Sequence, residues 1–138
     1  MTVRDIYITE YDLTRLQGLV AARIHAKSRD RELLEQLQQE LDRAHVVTPQ
    51  EIPHDIVTMN SRVRITDMES GQEQTYTLVF PAESNMAEGK VSVLAPIGTA
   101  LLGCRAGDTV DWPVPVGLKT VRIREVLYQP EATGRYDL

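Results

Sequence analysis

The sequence has little of what directed chemistry requires. Among 138 residues there is one cysteine, Cys104, so no intrachain disulfide can form and no cysteine-based zinc site can be built. The three histidines, His25, His45 and His54, have no metal-ligand spacing such as i, i+4, which leaves them surface or capping roles. None of Ser61, Ser70, Ser84 and Ser92 stands in a Gly-x-Ser-x-Gly nucleophile elbow. Gly98 and Gly103 flank Thr99-Ala100-Leu101-Leu102 without the Gly-Lys-Ser/Thr ending of a phosphate loop. Cys104 lies beside Arg105, but no histidine is near in sequence to act as a base, so it reads as a small residue at a helix end. No catalytic residue, metal site or cofactor site is expected.

No run reaches the roughly 20 apolar residues that span a bilayer. The start, Met1-Thr2-Val3-Arg4-Asp5, meets charge before any apolar run, so the expectation is a cytoplasmic chain without a signal peptide. Fifteen Lys and Arg against 20 Asp and Glu give a net charge of -5. Such a balance repels phosphate backbones and argues against nonspecific nucleic-acid binding. With 42% apolar residues, a chain of this length buries roughly 70% of its unfolded surface, enough for a real core in one domain or a domain with an appendage.

What is present is a change of period. After an extended lead-in over 5–9, Thr9 and Asp12 have N-cap spacing. Leu13, Leu16, Val20 and Ile24 then form one apolar stripe on a helix over 10–27, with Gly18 costing up to ~1 kcal/mol within it. Asp30 is placed to cap a second helix to Ala44, whose stripe is Leu34, Leu37, Leu41 and Ala44, widened by Leu33. Each stripe needs a partner, and a short connector makes the helices an antiparallel hairpin about 22–26 Å long. Because the helices satisfy each other, a monomer is expected.

From Thr48 the texture differs. Thr48-Pro49-Gln50-Glu51 predicts a single helical turn stopped by Pro53. Strands follow at 62–66, 75–80, 91–94, 109–112 and 119–127, with Val63 and Ile65 inward, and Val121, Ile123 and Glu125 sharing a side. Asn85 to Gly89 is a polar loop, and Ile97–Leu102 a short helix closed by Gly103. Helices followed by strands predict an α+β fold, with a hairpin over 1–47 and a small antiparallel β domain over 48–138.

The run Val91-Ser92-Val93-Leu94-Ala95-Pro96-Ile97-Gly98-Thr99-Ala100-Leu101-Leu102-Gly103, followed by Gly107-Asp108, resembles the strand–Pro–helix–Gly-Asp segment of the Gre transcript-cleavage factors. Glu69 to Val79 resembles their preceding hairpin. The Rnk family, called regulators of nucleoside diphosphate kinase, is more similar still, over nearly the whole chain. That resemblance is strongest at Leu41-Asp42-Arg43-Ala44, Pro53 to Val63 and Tyr128-Gln129-Pro130-Glu131-Ala132.

The resemblance implies a short antiparallel coiled coil, a body shaped like the FK506-binding proteins, and binding to RNA polymerase near its secondary channel. It makes Leu94-Ala95-Pro96 the docking loop, with leucine and alanine where Gre factors commonly have Asp-Ser before the proline. In Gre factors two acidic residues at the tip help hold a catalytic magnesium ion. Here Arg29, Asp30, Arg31 and Glu32 form the tip, and arginine, which stays charged, competes for the carboxylates. The arm is also shorter than in cleaving factors. The expectation is a non-enzymatic competitor of Gre-type factors that does not stimulate RNA cleavage. Prolyl isomerase activity is not expected, since an aromatic pocket cannot be drawn from one Trp, one Phe and scattered tyrosines. A direct protein regulator of nucleoside diphosphate kinase is the alternative.

Overall fold

Thr9 both ends a strand and starts a helix. In the computed structural model, which describes residues 6–23, 28–114 and 117–135, it is the last residue of β1 (Tyr7–Thr9) and precedes α1 (Glu10–Arg23). Its Oγ1 accepts the Asp12 amide at 3.0 Å, the cap that the spacing predicts. The remainder of the expected helix, 24–27, lies outside the described residues. The second helix, α2 (Ser28–Arg43), begins two residues before Asp30. Asp30 is therefore in the first turn and not at the cap, a position where the helix dipole still favours an acid.

Leu16, Val20, Leu34, Leu37 and Leu41 are buried, and the two helices are in contact. Burying each leucine contributes roughly 1.5–3 kcal/mol. The exposed Arg31–Glu35 pair, at 3.7 Å, contributes only about 0.3–0.5 kcal/mol. Packing holds the helices, not charge. Their stripes also do more than meet each other. They join one core with Ile6, Ile8, Val63, Ile65, Leu78, Val121 and Ile123, so the base of the hairpin is built into the body.

β2 (His45–Val47) pairs with β1 in parallel. Parallel strands need a long crossover, and the helical hairpin supplies it. Thr48 to Glu51 makes a hydrogen-bonded turn and no helix, with the Glu51 amide on the Thr48 carbonyl at 3.0 Å and the Thr48 hydroxyl on Glu51 Oε1 at 2.7 Å.

The main sheet contains β3 (Arg62–Asp67), β4 (Glu73–Val79), β5 (Lys90–Ser92), β6 (Thr109–Val114) and β7 (Gly117–Tyr128), in the order β5-β4-β3-β7-β6. It is mixed, not wholly antiparallel as the pattern suggests, because β5 runs parallel to β4. Between them 3-10 turns at Pro81–Glu83 and Met86–Glu88, partly within the expected polar loop, carry the chain back to re-enter in the same direction. A short helix, α3 (Pro96–Leu101), follows β5 and packs against it and against β6 and α2.

Val63, Ile65, Val121 and Ile123 point inward as expected. Glu125 does not. Two register shifts between β3 and β7 place Val126 opposite Val63 and Glu125 opposite Arg64. Such bulges add a residue to one strand and reset its alternation. Val126 thus packs on the core, while Glu125 is exposed and pairs with Arg64 at 3.2 Å.

Candidate functional site

The expected docking loop is held from both ends. Val93 donates its amide to the Val79 carbonyl at 2.9 Å, Leu94 to Ser92 Oγ at 3.1 Å, and Ala95 to the Ser92 carbonyl at 3.0 Å. Thr99 returns from α3, its hydroxyl on the Val93 carbonyl at 2.7 Å and its amide on the Ala95 carbonyl at 3.0 Å. Leu94 is turned into the core, Ala95 is half-buried, and Pro96 stands exposed at the first position of α3, where its missing N–H costs nothing. Pro96 is the member of the trio exposed to solvent.

Gly98 makes the loop possible. A Cβ there would stand 2.1 Å from the Ser92 carbonyl oxygen, so only glycine lets α3 start this close to the end of β5. Gly103 closes the helix at φ +77, where a Cβ would stand 2.9 Å from the Ile6 Cβ, while its carbonyl accepts the Tyr7 amide at 3.1 Å. The loop segment and the N-terminal strand are thereby tied together.

The expected tip residues lie in the first turns of α2. Arg31 and Glu32 are exposed, and Arg31 reaches Glu35, one turn on. No hydrogen bond or ion pair among the described residues joins the tip to the loop.

A second group, at the base of the hairpin, escapes sequence reasoning. Asp12 is 1% exposed. Its carboxylate accepts Arg15 Nη2 at 2.6 Å and the Met59 amide at 3.0 Å. The Arg15 guanidinium stacks over the rings of Tyr11, at 4.1 Å, and Phe80, at 4.7 Å. Nearby, Thr58 donates to buried Glu131 at 2.7 Å, and Gln129 Nε2 donates to the carbonyls of Pro53 and Ile56, each at 2.8 Å. Burial holds both Asp12 and Glu131 above the ordinary carboxylate range. Arg15 and the Met59 amide offset part of this at Asp12, and Thr58 does so at Glu131. An acid three residues after a capping threonine looks like ordinary first-turn chemistry, so nothing in the sequence marks Asp12 as buried. A faint signal was available in the two distinctive runs at 53–63 and 128–132, which the structure brings into direct contact.

Cys104 is buried, with its thiol on the Ala100 carbonyl at 3.2 Å, and His45 stacks on Tyr7. Among the described residues no group of three or more His, Cys, Asp or Glu could hold a metal ion, and no helix is long and apolar enough to cross a membrane.

A family described as "Rnk N-terminus" matches residues 4–47, and one described as "Transcription elongation factor, GreA/GreB, C-term" matches residues 52–128. The "Regulator of nucleoside diphosphate kinase" of Escherichia coli is 41% identical over 137 residues, covering 99% of this chain and 98% of that protein. The chain belongs to the Rnk family. Rnk and Gre proteins are related through the body. The "Transcription elongation factor GreA" of Sulfurovum is 36% identical over 86% of this chain and 67% of its own. A solved structure titled "Prokaryotic transcription elongation factor GreA/GreB from Nitrosomonas europaea" superposes with a TM-score of 0.73 at 41% identity, covering 91% of this chain and all of that one. The Rnk chain thus has the α+β, Gre-like fold that its sequence predicts.

Proposed function

We propose that this Rnk-family chain binds RNA polymerase near the secondary channel and competes there with Gre-type factors without stimulating RNA cleavage. The observation that carries the reading is the match of the body to the GreA/GreB C-terminal family, together with similarity to Gre-type factors over most of the chain. In this reading residues 1–47 are the arm and 48–138 the anchor. The anchor docks through Leu94-Ala95-Pro96, with Pro96 outermost and the backbone of the loop already fixed. Docking therefore orders little that is not ordered beforehand.

The arm is short. Helices of 14 and 16 residues reach about 21–24 Å at 1.5 Å per residue. At its tip Arg29 and Arg31 alternate with Asp30 and Glu32, which lowers the negative potential a magnesium ion needs. Short reach and mixed charge both support occupancy without catalysis. The chain works as a cytoplasmic monomer, and its effect on nucleoside diphosphate kinase and nucleotide pools is indirect, through transcription.

A second reading, direct control of the kinase, is favoured by the name of the Escherichia coli relative. Binding assays separate the two. Labelled chain should bind core polymerase and be displaced by a Gre factor, and it should not bind purified nucleoside diphosphate kinase. Binding to the kinase alone, with none to polymerase, overturns the proposal.

A further inference from the structure

Among the described residues, the outer face of the main sheet takes no part in the loop, the hairpin or the core cluster. The inner face carries Val63, Ile65, Val121 and Ile123, so alternation turns Arg62, Arg64 and Arg122 outward. The first bulge adds Arg124, whose Nε donates to Thr66 Oγ1 at 2.9 Å from beside Glu125. The second leaves Leu127 and Tyr128 both exposed, with Tyr128 opposite Arg62. Four guanidinium groups thus stand on two adjacent central strands of a chain with net charge -5.

Their engagement is uneven. Arg64 pairs with Glu125 and Arg124 with Thr66, whereas Arg62 and Arg122 are exposed and, among the described residues, form no ion pair. Crowding like charges on a rigid face is unfavourable until something anionic covers it. The composition then selects the class of partner. Arginine and tyrosine beside an exposed leucine are the residues enriched at protein interfaces. Glu73, Asp111 and Glu125 lie on the same face and would repel a continuous phosphate backbone, yet they leave room for discrete carboxylates held in bidentate pairs.

We propose that the outer face of β3 and β7, centred on Arg62 and Arg122 and bordered by Leu127 and Tyr128, is a docking surface for an acidic protein segment that also carries apolar side chains. It is separate from the polymerase loop and independent of that reading.

The test uses the intact chain and a fluorescent synthetic peptide of Glu-Leu-Glu-Ala repeats. A Lys-Leu-Lys-Ala peptide and a single-stranded RNA oligonucleotide serve as the other arms. The acidic peptide should bind and weaken as salt rises. Affinity should fall at least tenfold in the double variant Arg62→Ala, Arg122→Ala, and should rise in Glu125→Gln, which releases Arg64. Because the two arginines are exposed, the double variant should unfold at an unchanged urea midpoint. Absence of acidic-peptide binding at low salt, or binding indifferent to these substitutions, overturns the proposal. So does RNA binding that is tighter than peptide binding and lost in the same double variant.

Discussion

At the scale of single residues, Asp12 bears the most weight. It receives a backbone amide from the body while its helix belongs to the hairpin, and Arg15 neutralises it. Asp12→Ala should cost about 2–3 kcal/mol, less than for a fully buried ion pair because Arg15 keeps some contact with water; urea unfolding measures it. The pH dependence follows from the same burial. Asp12 and Glu131 are held above their ordinary values of 3.8 and 4.5, so the folded chain retains protons that the unfolded chain has released. Their stabilising contribution is full below those values and is lost as pH rises through the folded-state pKa values. Asp67, lowered by Lys119, acts in the opposite sense and loses its contribution on acidification, with little effect at a partly exposed pair. The urea midpoint should therefore decline as pH rises from about 4 toward neutrality, and this slope should flatten in the double variant Asp12→Asn, Glu131→Gln. A slope unchanged in that variant would remove these two groups as its source. Little of this was legible in the sequence. Capping acids and buried acids look the same when only the local pattern is visible, and the partner of Asp12 lies 47 residues away.

At the scale of elements, two glycines give opposite expectations. Gly98 lets α3 begin against the end of β5, where an added Cβ would collide with backbone that cannot turn aside. Gly98→Ala should destabilise by about 1–3 kcal/mol and disturb the loop that Pro96 tops. Gly18, exposed within α1, has nothing near its missing Cβ. Gly18→Ala should therefore stabilise by roughly 0.5–1 kcal/mol. Thermal denaturation of the pair tests both signs. Elements with a strong period were legible in advance. Both helical stripes, the β3–β4 hairpin and the Pro96 helix follow from the order of apolar residues. Parallel pairing of β1 with β2 and of β4 with β5 was not, because strand direction depends on the path between strands. The turn of Glu125 away from the core was hidden for a related reason: a bulge is set by the neighbouring strand.

At the scale of the whole molecule, hairpin and body share one core, joined by Asp12, by Gly103 against Ile6 and by α2 against α3. A shared core predicts one unfolding transition, with far-ultraviolet circular dichroism and a fluorescent label on the hairpin giving the same midpoint; two separated transitions would mean the parts fold independently. It also fixes the base of the hairpin to the body, so that under the proposed function the hairpin follows wherever the body docks. The sequence announced both parts and their family, but not the weld between them, since each stripe alone suggests only that the helices meet. The most direct measurement is a titration of the chain into backtracked polymerase complexes supplied with a Gre factor, following RNA cleavage. Under the proposed function, Gre-dependent cleavage falls steadily toward the level without any factor, and the chain alone adds none. Cleavage stimulated by the chain alone, and abolished by Asp30→Ala or Glu32→Ala, would contradict it.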